Sequence, residues 1–322
     1  MRAALHNIML MSCVILTLAL TSCVHKELCY DHPHTHEVDV VFDWSQEADA
    51  DPETMSLYLF PQDDGKVERY EFTDRNGGRI RVAEGEYKAI CLNSDTRNLR
   101  LEEKDKYETF RITSVDAELH ARTLLTEKCA DSPPRAKGTE DERVAASPDK
   151  VWTGNLDELI VDEATESIIM TPEKSYIRFK IEVHNVENLE YAFIVSGALT
   201  TLSESILPGL AVLSEENVTV PFGAEFSTTE RSIWGEFQTF GHCPYREFQH
   251  FLILYITMSD GSNISYRYDV TEQIHTAPDP ENIVIILDGL TLPEPEDVGG
   301  GVSGGMKPVV GEWTTIDIGL KM

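Results

Sequence analysis

Hydrophobic and polar positions alternate along most of this chain. Val38, Val40 and Phe42 are separated by single residues, as expected for a strand with one buried face. The same alternation returns in the second half, where Ile177 and Phe179 begin a new series. Short alternating segments with turn signals between them, and few helical stretches, predict an all-β fold built from antiparallel β-sandwiches.

The pattern also predicts how the chain is divided. Residues 131–150 are rich in proline, alanine and charge and have no apolar period, so we expect a long surface loop there. Residues 118–128 predict a short helix just before it. A chain of 322 residues is long enough for two domains. We therefore predict one β-sandwich domain at residues 38–165 and a second at residues 166–322.

The second half contains the clearest local signals. Residues 250–270 predict a hairpin whose arms are joined through Asp260 and Gly261, a pair that favours the positive φ angles of a tight turn. Residues 281–287 (ENIVIIL) are strongly apolar, so we expect a central strand there. Residues 309–320 predict a last strand at the end of the sequence.

The first residues resemble the signal of a bacterial lipoprotein. Residues 8–20 form an apolar run that is too short to cross a bilayer of about 30 Å as a helix. The sequence LTSC, which ends at Cys23, resembles a lipobox, in which the cysteine thiol receives a diacylglycerol unit before cleavage. The resemblance implies that residues 1–22 are removed and that Cys23 carries acyl chains such as palmitate. An ordinary signal peptide with a coincidental cysteine is the alternative.

A histidine-rich tract follows the predicted lipid. Residues 23–37 predict a polar tether between the membrane and the first domain, held extended by Pro33. Within it, His32, His34 and His36 alternate, which would place three imidazoles on one side of a strand, in an arrangement that suits zinc or copper. The tether is the favoured interpretation, and the three histidines are weak candidates for a metal site.

Charge and cysteine content limit the partners. The net charge of −29 repels nucleic acid and anionic membrane surfaces, so we expect no nucleic-acid partner and membrane contact only through the lipid. Export permits disulfides, but Cys29, Cys91, Cys129 and Cys243 allow three complete pairings, and their spacing does not choose among them.

Catalytic motifs are missing from the sequence. The spacing of Gly299, Gly301 and Gly304 matches a dinucleotide fingerprint, but no strand precedes it and Pro308 prevents a following helix, so it predicts a linker. The sequence lacks a GxSxG elbow, an HExxH motif and a P-loop. With 56 acidic residues, close carboxylate pairs arise by chance. We predict a non-enzymatic protein with no catalytic residues and no cofactor.

The four tryptophans offer two interpretations. They could form a platform on which a sugar ring stacks, or they could pack in the core. Each lies in a strand-like context, which favours the core. They are Trp44, Trp152, Trp234 and Trp313.

Motifs along the chain resemble those of fimbrial anchor and minor-subunit lipoproteins of Gram-negative anaerobes. In the first half, the lipobox is followed by the strand at residues 38–44, then EGEY leading into ICLN, and later WTG at residues 152–154. The second half is similar to a related, uncharacterised lipoprotein domain family. The matching motifs there are VENL at residues 186–189, TFGH at residues 239–242, SDGS at residues 259–262 and YDVT at residues 268–271.

This resemblance implies a fold, a location and a role. It implies two transthyretin-like β-sandwiches in tandem, lipid-anchored in the outer membrane on the cell-surface or periplasmic face. It also implies a fimbrial anchor or accessory subunit in pilus assembly and adhesion, joined to other subunits by strand addition. The sequence shows no clear propeptide or donor strand apart from residues 309–320, a weak candidate, and this favours an anchor or accessory subunit over a shaft subunit. The alternative is a surface lipoprotein that binds a ligand or glycan, and an exposed cluster of aromatic side chains would favour it.

Overall fold

The computed structural model describes residues 35–63, 65–119, 132–242, 248–294 and 313–318. Within these ranges the regular structure is nearly all β, which confirms the predicted all-β sandwich fold. None of the helices in this described part has the length and apolar character needed to cross a membrane. The strands are β1 (Thr35–Phe42), β2 (Met55–Pro61), β3 (Glu68–Phe72), β4 (Gly77–Ala83), β5 (Gly85–Asn93), β6 (Leu99–Glu102), β7 (Arg111–Ser114), β8 (Arg143–Val144), β9 (Trp152–Val161), β10 (Ser167–Met170), β11 (Glu173–Lys174), β12 (Ile177–Glu187), β13 (Ala192–Ser203), β14 (Ser205–Leu207), β15 (Val212–Leu213), β16 (Asn217–Ser227), β17 (Ser232–Thr239), β18 (Phe251–Met258), β19 (Asn263–Asp269), β20 (Asn282–Thr291) and β21 (Trp313–Ile318). The one α-helix within the described ranges is α1 (Thr271–His275).

The first sandwich contains a three-stranded sheet, in the order β10-β1-β4, and a five-stranded sheet, in the order β11-β9-β5-β2-β3. Val38, Val40 and Phe42 point from β1 into the core between them, where they meet Leu57 and Leu59 of β2. Because successive side chains of a strand point to opposite faces, the alternation in β1 leaves one face of this strand exposed. The strand predicted from the sequence is therefore present, and it begins at Thr35, inside the predicted tether.

Strands β2 and β5 are covered on both faces. Their second face, which includes Tyr58 and Ile90, packs against Ile112 of β7 and against Phe240 from the second half of the chain. The covering layer is a four-stranded sheet in the order β15-β14-β7-β6, with β6 and β7 from the first half and β14 and β15 from the second. A strand buried on both faces loses the polar alternation, which explains the continuous apolar run of β2.

Strands from beyond residue 166 also join the first sandwich. Strand β10 pairs in parallel with β1, and β11 pairs with β9. Contacts between the two halves are therefore made by hydrogen-bonded strands as well as by the shared apolar layer. The division of the chain into domains at residues 38–165 and 166–322 stays a prediction.

The second half forms a nine-stranded sheet in the order β20-β12-β17-β16-β13-β18-β19-β21, with β8 added beside β16. This sheet curls around its own core because β16 changes partner along its length. It pairs with β13 as far as Ala224 and with β17 from Glu225 onwards. The apolar side chains of both parts then face each other in one large cluster.

A stack of aromatic rings fills the middle of this core. The Phe222 ring lies 4.8 Å from the Phe237 ring, which lies 5.4 Å from the Phe179 ring, and both pairs are within 8° of parallel. Gly197 and Gly235 leave room for the Phe222 ring. A Cβ atom on Gly197 would lie 2.4 Å from this ring, and one on Gly235 would lie 2.8 Å from it.

The predicted hairpin is confirmed, and the predicted central strand is wrong. Strands β18 and β19 pair antiparallel around a turn in which Gly261 has a φ of 90° and Asp260 accepts a hydrogen bond from the Ser262 amide. Strand β20, by contrast, lies at the end of the nine-stranded sheet, paired in parallel with β12. Its exposed face carries Val284 and Ile286, so its apolar sequence does not reflect burial on both faces.

The predicted surface loop at residues 131–150 is partly buried. Ala136 and Ala145 are fully covered, and the short strand β8 within this segment pairs in parallel with β16. A single alanine can be buried without belonging to a periodic pattern of apolar residues, so the sequence pattern could not reveal these contacts. The predicted helix at residues 118–128 falls almost entirely outside the described residues.

Candidate functional site

The outer edge of the nine-stranded sheet is formed by β21. This strand pairs in parallel with β19, from Trp313 beside Asn263 to Ile318 beside Tyr268. Within the described part of the chain, no strand pairs with the outer side of β21. Its unpaired backbone donors and acceptors form the kind of edge to which another strand can add.

Strand β21 is held by a few contacts besides its ladder. The Trp313 ring lies edge-on to Tyr255, with the ring centres 5.4 Å apart. The Ser265 hydroxyl donates to Thr315 Oγ1 over 3.0 Å, and the exposed Asp317 forms an ion pair with the half-buried Arg267 of β19. The four central residues of β21 are exposed, and Trp313 and Ile318 at its ends are half-buried.

Strand β19 differs from β21 because it is largely buried. Ile264, Tyr266 and Tyr268 point into the core of the second half, and Ser265 is fully covered. The fold therefore combines a buried strand with a lightly held strand on its outer side. Elements with few buried contacts open more easily than the core, so β21 is the element of this edge that is expected to leave first.

A second feature, which we call the imidazole cluster, consists of His242, His250 and His275. Their potential ligand nitrogens all lie within 4.8 Å of one another, and the Nε2 atoms of His250 and His275 are 3.2 Å apart. His242 follows β17 in a bridge to Leu202, His250 immediately precedes β18, and His275 ends α1. Three separate parts of the chain therefore bring these imidazoles together.

His250 is the fixed member of the imidazole cluster. Its side chain is completely buried, and its Nδ1 lies 3.2 Å from the backbone carbonyl oxygen of Thr200. Because a carbonyl can only accept, Nδ1 carries the proton and Nε2 presents its lone pair to the other two rings. Burial is the main cause that lowers the pKa of His250 to about 4, which keeps the ring neutral near pH 7.

The imidazole cluster adjoins an open groove between the two halves of the chain. The groove has a volume of about 570 Å³, and His242 and Gly241 line it together with Thr153 and Tyr176 from the other side. His242 and His275 are half-buried. Solutes in the groove therefore have a route to His242.

Of the residues predicted from the sequence as a lipidation or metal site, only His36 lies in the part of the chain that the structure describes. Cys23, His32 and His34 lie outside the described residues. His36 lies at the start of the first sheet, with its Nε2 2.5 Å from a carboxylate oxygen of Glu84. Cys91 is buried as a free thiol.

Two of the four tryptophans follow the core interpretation. Trp44 and Trp152 are buried and lie edge to face, with their ring centres 6.3 Å apart. Trp234 and Trp313 are half-buried. These side chains do not form the exposed aromatic platform that would favour glycan binding.

Sequence reasoning missed the imidazole cluster. Metal-binding motifs are recognised by ligands that lie close together in the sequence. His250 and His275 are 25 residues apart in different elements. His242 lies in the TFGH motif, which in the sequence indicates only a family resemblance. Only the tertiary structure places these three side chains together.

The fold and these features define the class of the protein as an all-β sandwich protein without a recognisable catalytic motif. Residues 22–223 match the family described as "Domain of unknown function (DUF5119)", and the chain belongs to this family. The predicted resemblance to an uncharacterised domain family is thereby confirmed. The match ends at residue 223, however, so it contains only the first of the four motifs that predicted this family, VENL at residues 186–189.

One relative carries a functional name. The chain is 27% identical over 195 residues to the "Putative fimbrium anchoring subunit Fim4B" of Bacteroides ovatus, a match that covers 58% of this chain. It covers 51% of that protein, so the chain matches about half the length of this relative.

Solved structures support the fold. The chain is similar to a "putative adhesin" from Bacteroides ovatus, with a TM-score of 0.62 and 23% identity, over 86% of this chain and 98% of that chain. It is also similar to the fimbrial anchor protein Mfa2 from Porphyromonas gingivalis, with a TM-score of 0.48 and 13% identity, over 80% of this chain and 91% of that chain. The first similarity supports the β-sandwich architecture of this chain.

Proposed function

We propose that this protein is a non-enzymatic lipoprotein of the outer membrane that anchors a fimbria or joins it as an accessory subunit. In this proposal, acyl chains on Cys23 hold the protein in the membrane and a fimbrial subunit binds by strand addition. The name of the Bacteroides ovatus relative supports the role. The observation that carries the proposal is the lightly held strand β21 at the edge of a buried sheet.

Strand addition would use the edge of β19. When β21 leaves, the backbone groups of β19 between Asn263 and Tyr268 lose their partners on that side. The apolar side chains of β19 remain packed in the core, so the vacant edge keeps its shape. A strand from a fimbrial subunit would then restore the backbone hydrogen bonds, and pockets beside alternate side chains would give selectivity.

A reversible disulfide lock tests this mechanism. Ser265 and Thr315 are register partners whose hydroxyl oxygens are 3.0 Å apart, so the thiols of Ser265→Cys and Thr315→Cys would lie close enough to form a disulfide after a small side-chain adjustment. Crosslinked complexes from intact cells are recovered with the protein and identified by mass spectrometry. We expect a ladder of β-sandwich subunits with the wild type, loss of the ladder with the oxidised double variant, and its return after reduction.

Single-cysteine variants at each position are the controls, because they change the same side chains without closing the lock. They should recover the ladder as the wild type does. Recovery of the same ladder by the oxidised, locked protein would show that subunit binding does not require β21 to leave β19. Recovery of the wild type alone or with polysaccharide would contradict the fimbrial role and favour the ligand-binding alternative.

A further inference from the structure

The imidazole cluster has the spacing of ligands around one metal ion. Zinc binds imidazole nitrogen at about 2.0–2.1 Å in tetrahedral geometry, which separates two ligand nitrogens by about 3.4 Å. The Nε2 atoms of His250 and His275 are 3.2 Å apart, close to this separation. The widest spacing in the imidazole cluster, up to 4.8 Å, exceeds the ideal by about 1.4 Å, and rotation of a half-buried ring can close such a gap.

The surroundings of His250 preorganise its ring as a metal ligand. Metal-bound histidines usually donate their second ring nitrogen to a carbonyl or carboxylate oxygen, which fixes the tautomer and the ring orientation. Here the Thr200 carbonyl accepts from Nδ1 of His250 and leaves Nε2 free to coordinate. Because the His250 side chain is completely buried, the fold rather than solvent fixes the orientation of its ring.

Hydrogen bonds connect His250 to the segment that carries His275. The Thr271 hydroxyl accepts from the His250 amide over 2.8 Å, and the Val270 amide donates to the His250 carbonyl over 2.9 Å. Helix α1 begins at Thr271 and ends at His275. The distance between the His250 and His275 rings is therefore set by short hydrogen-bonded connections.

We propose that His242, His250 and His275 bind a divalent transition-metal ion, with Zn²⁺ as the preferred ion. Three imidazole nitrogens suit zinc better than calcium or magnesium, which bind oxygen ligands. Three protein ligands leave a fourth coordination position for water or for a donor from outside the imidazole cluster. The groove beside His242 provides the route of entry.

The competing interpretation is a hydrogen bond between two histidines. In that case Nε2 of His275 donates to the lone pair of His250, and the imidazole cluster has no metal affinity. Zinc titration separates the two interpretations. The full-length protein is prepared without a polyhistidine tag and with His32→Asn, His34→Asn and His36→Asn, so that the N-terminal tract does not supply these ligands.

Zn²⁺ binding to this background is measured by isothermal titration calorimetry and by metal analysis after dialysis. We expect one zinc ion per chain, with His275→Asn or His242→Asn lowering the affinity by more than about 100-fold, since loss of a second-shell partner alone costs about 10–100-fold. Both positions are half-buried, and circular dichroism verifies that the variants fold. His184→Asn, at an exposed histidine beside Glu182, is the matched control and should bind zinc normally.

Cobalt substitution tests the geometry. Co²⁺ in a tetrahedral site absorbs visible light strongly, so the background protein should develop an intense band that His275→Asn abolishes. No zinc binding by the background protein would overturn the proposal. Equal zinc affinity in the background protein and in both cluster variants would also overturn it, because the ion would then bind elsewhere.

Discussion

The Glu142 carboxylate holds Thr201 in a left-handed backbone conformation. The Thr201 amide donates to Glu142 Oε2 over 3.1 Å, and the φ angle of Thr201 is 62°. A β-branched residue is rarely found there, because its side chain crowds the backbone. Thr201 lies where the pairing of β13 with β16 shifts register, so a side chain from the segment before β8 stabilises an irregular position in a central strand.

Removal of this carboxylate should destabilise the fold. Glu142→Ala leaves the Thr201 amide and the Thr219 hydroxyl, which donates over 2.7 Å, without their acceptor. Hydrogen bonds to a charged group contribute about 1.5–3 kcal/mol each, so we expect the free energy of unfolding to fall by at least the contribution of one such bond. Urea denaturation measures the change. Asp141→Ala, at the exposed neighbouring position, is the control, and equal losses in the two variants would contradict a specific role for Glu142.

The aromatic stack in the core of the second half leaves no room for a larger side chain at Gly197. A Cβ at position 197 would lie 2.4 Å from the Phe222 ring, and that ring cannot retreat because it stacks on Phe237. Gly197→Ala should therefore lower the free energy of unfolding by about 1–3 kcal/mol, the usual cost of an overpacked core. Thermal and urea denaturation measure this loss.

Gly223→Ala is the matched control for this prediction. Gly223 lies next to Phe222 in β16, and a Cβ there would meet nothing within 4 Å. We expect little change in stability or a small gain, because alanine restricts the unfolded chain more than glycine does. A Gly197→Ala protein as stable as Gly223→Ala would show that the aromatic stack can move aside.

Local sequence patterns predict individual strands but do not predict which strands pair with each other. The alternation in β1 and the Gly261 turn are encoded within a few residues, so the sequence predicts them. The position of β20 depends on its parallel pairing with β12, which is about 100 residues earlier in the chain, and no local signal encodes that partner. An apolar strand with one exposed face, as at Val284 and Ile286, is then mistaken for a central one.

The imidazole cluster could not be predicted for a related reason. His250 is buried by tertiary packing against Thr200, and a single histidine before a strand gives no sign of this contact. His242 and His275 approach it only because β17, β18 and α1 converge. Strand β21 was partly predicted, because the alternation at residues 309–320 indicates a strand, although its parallel pairing with β19 depends on the assembled sheet.

The buried thiol of Cys91 should be unreactive in the folded protein. Its side chain is fully covered, and burial raises its pKa to about 12. The thiolate is the reactive form, and an ordinary cysteine has a pKa near 8.5, so at pH 8 we expect alkylation by iodoacetamide to be slower than for a free cysteine by at least about 10³-fold. Mass spectrometry of the peptide that contains Cys91 measures the labelling. The same protein in urea is the control and should label fully, whereas fast native labelling would contradict the buried position.

The proposed anchor makes the last prediction. Each buried CH₂ of an acyl chain contributes about 0.8 kcal/mol to membrane binding, so two or more chains on Cys23 would hold the protein firmly and their loss would release it. Cys23→Ala should abolish incorporation of a palmitate analogue, which is measured by labelling cells and isolating the protein. Because this variant also keeps its uncleaved apolar segment at residues 8–20, a second variant replaces residues 1–23 with a conventional cleavable secretory signal. That variant should leave the membrane fraction and appear in the soluble envelope fraction or the medium, whereas its retention in membranes would contradict the lipid anchor.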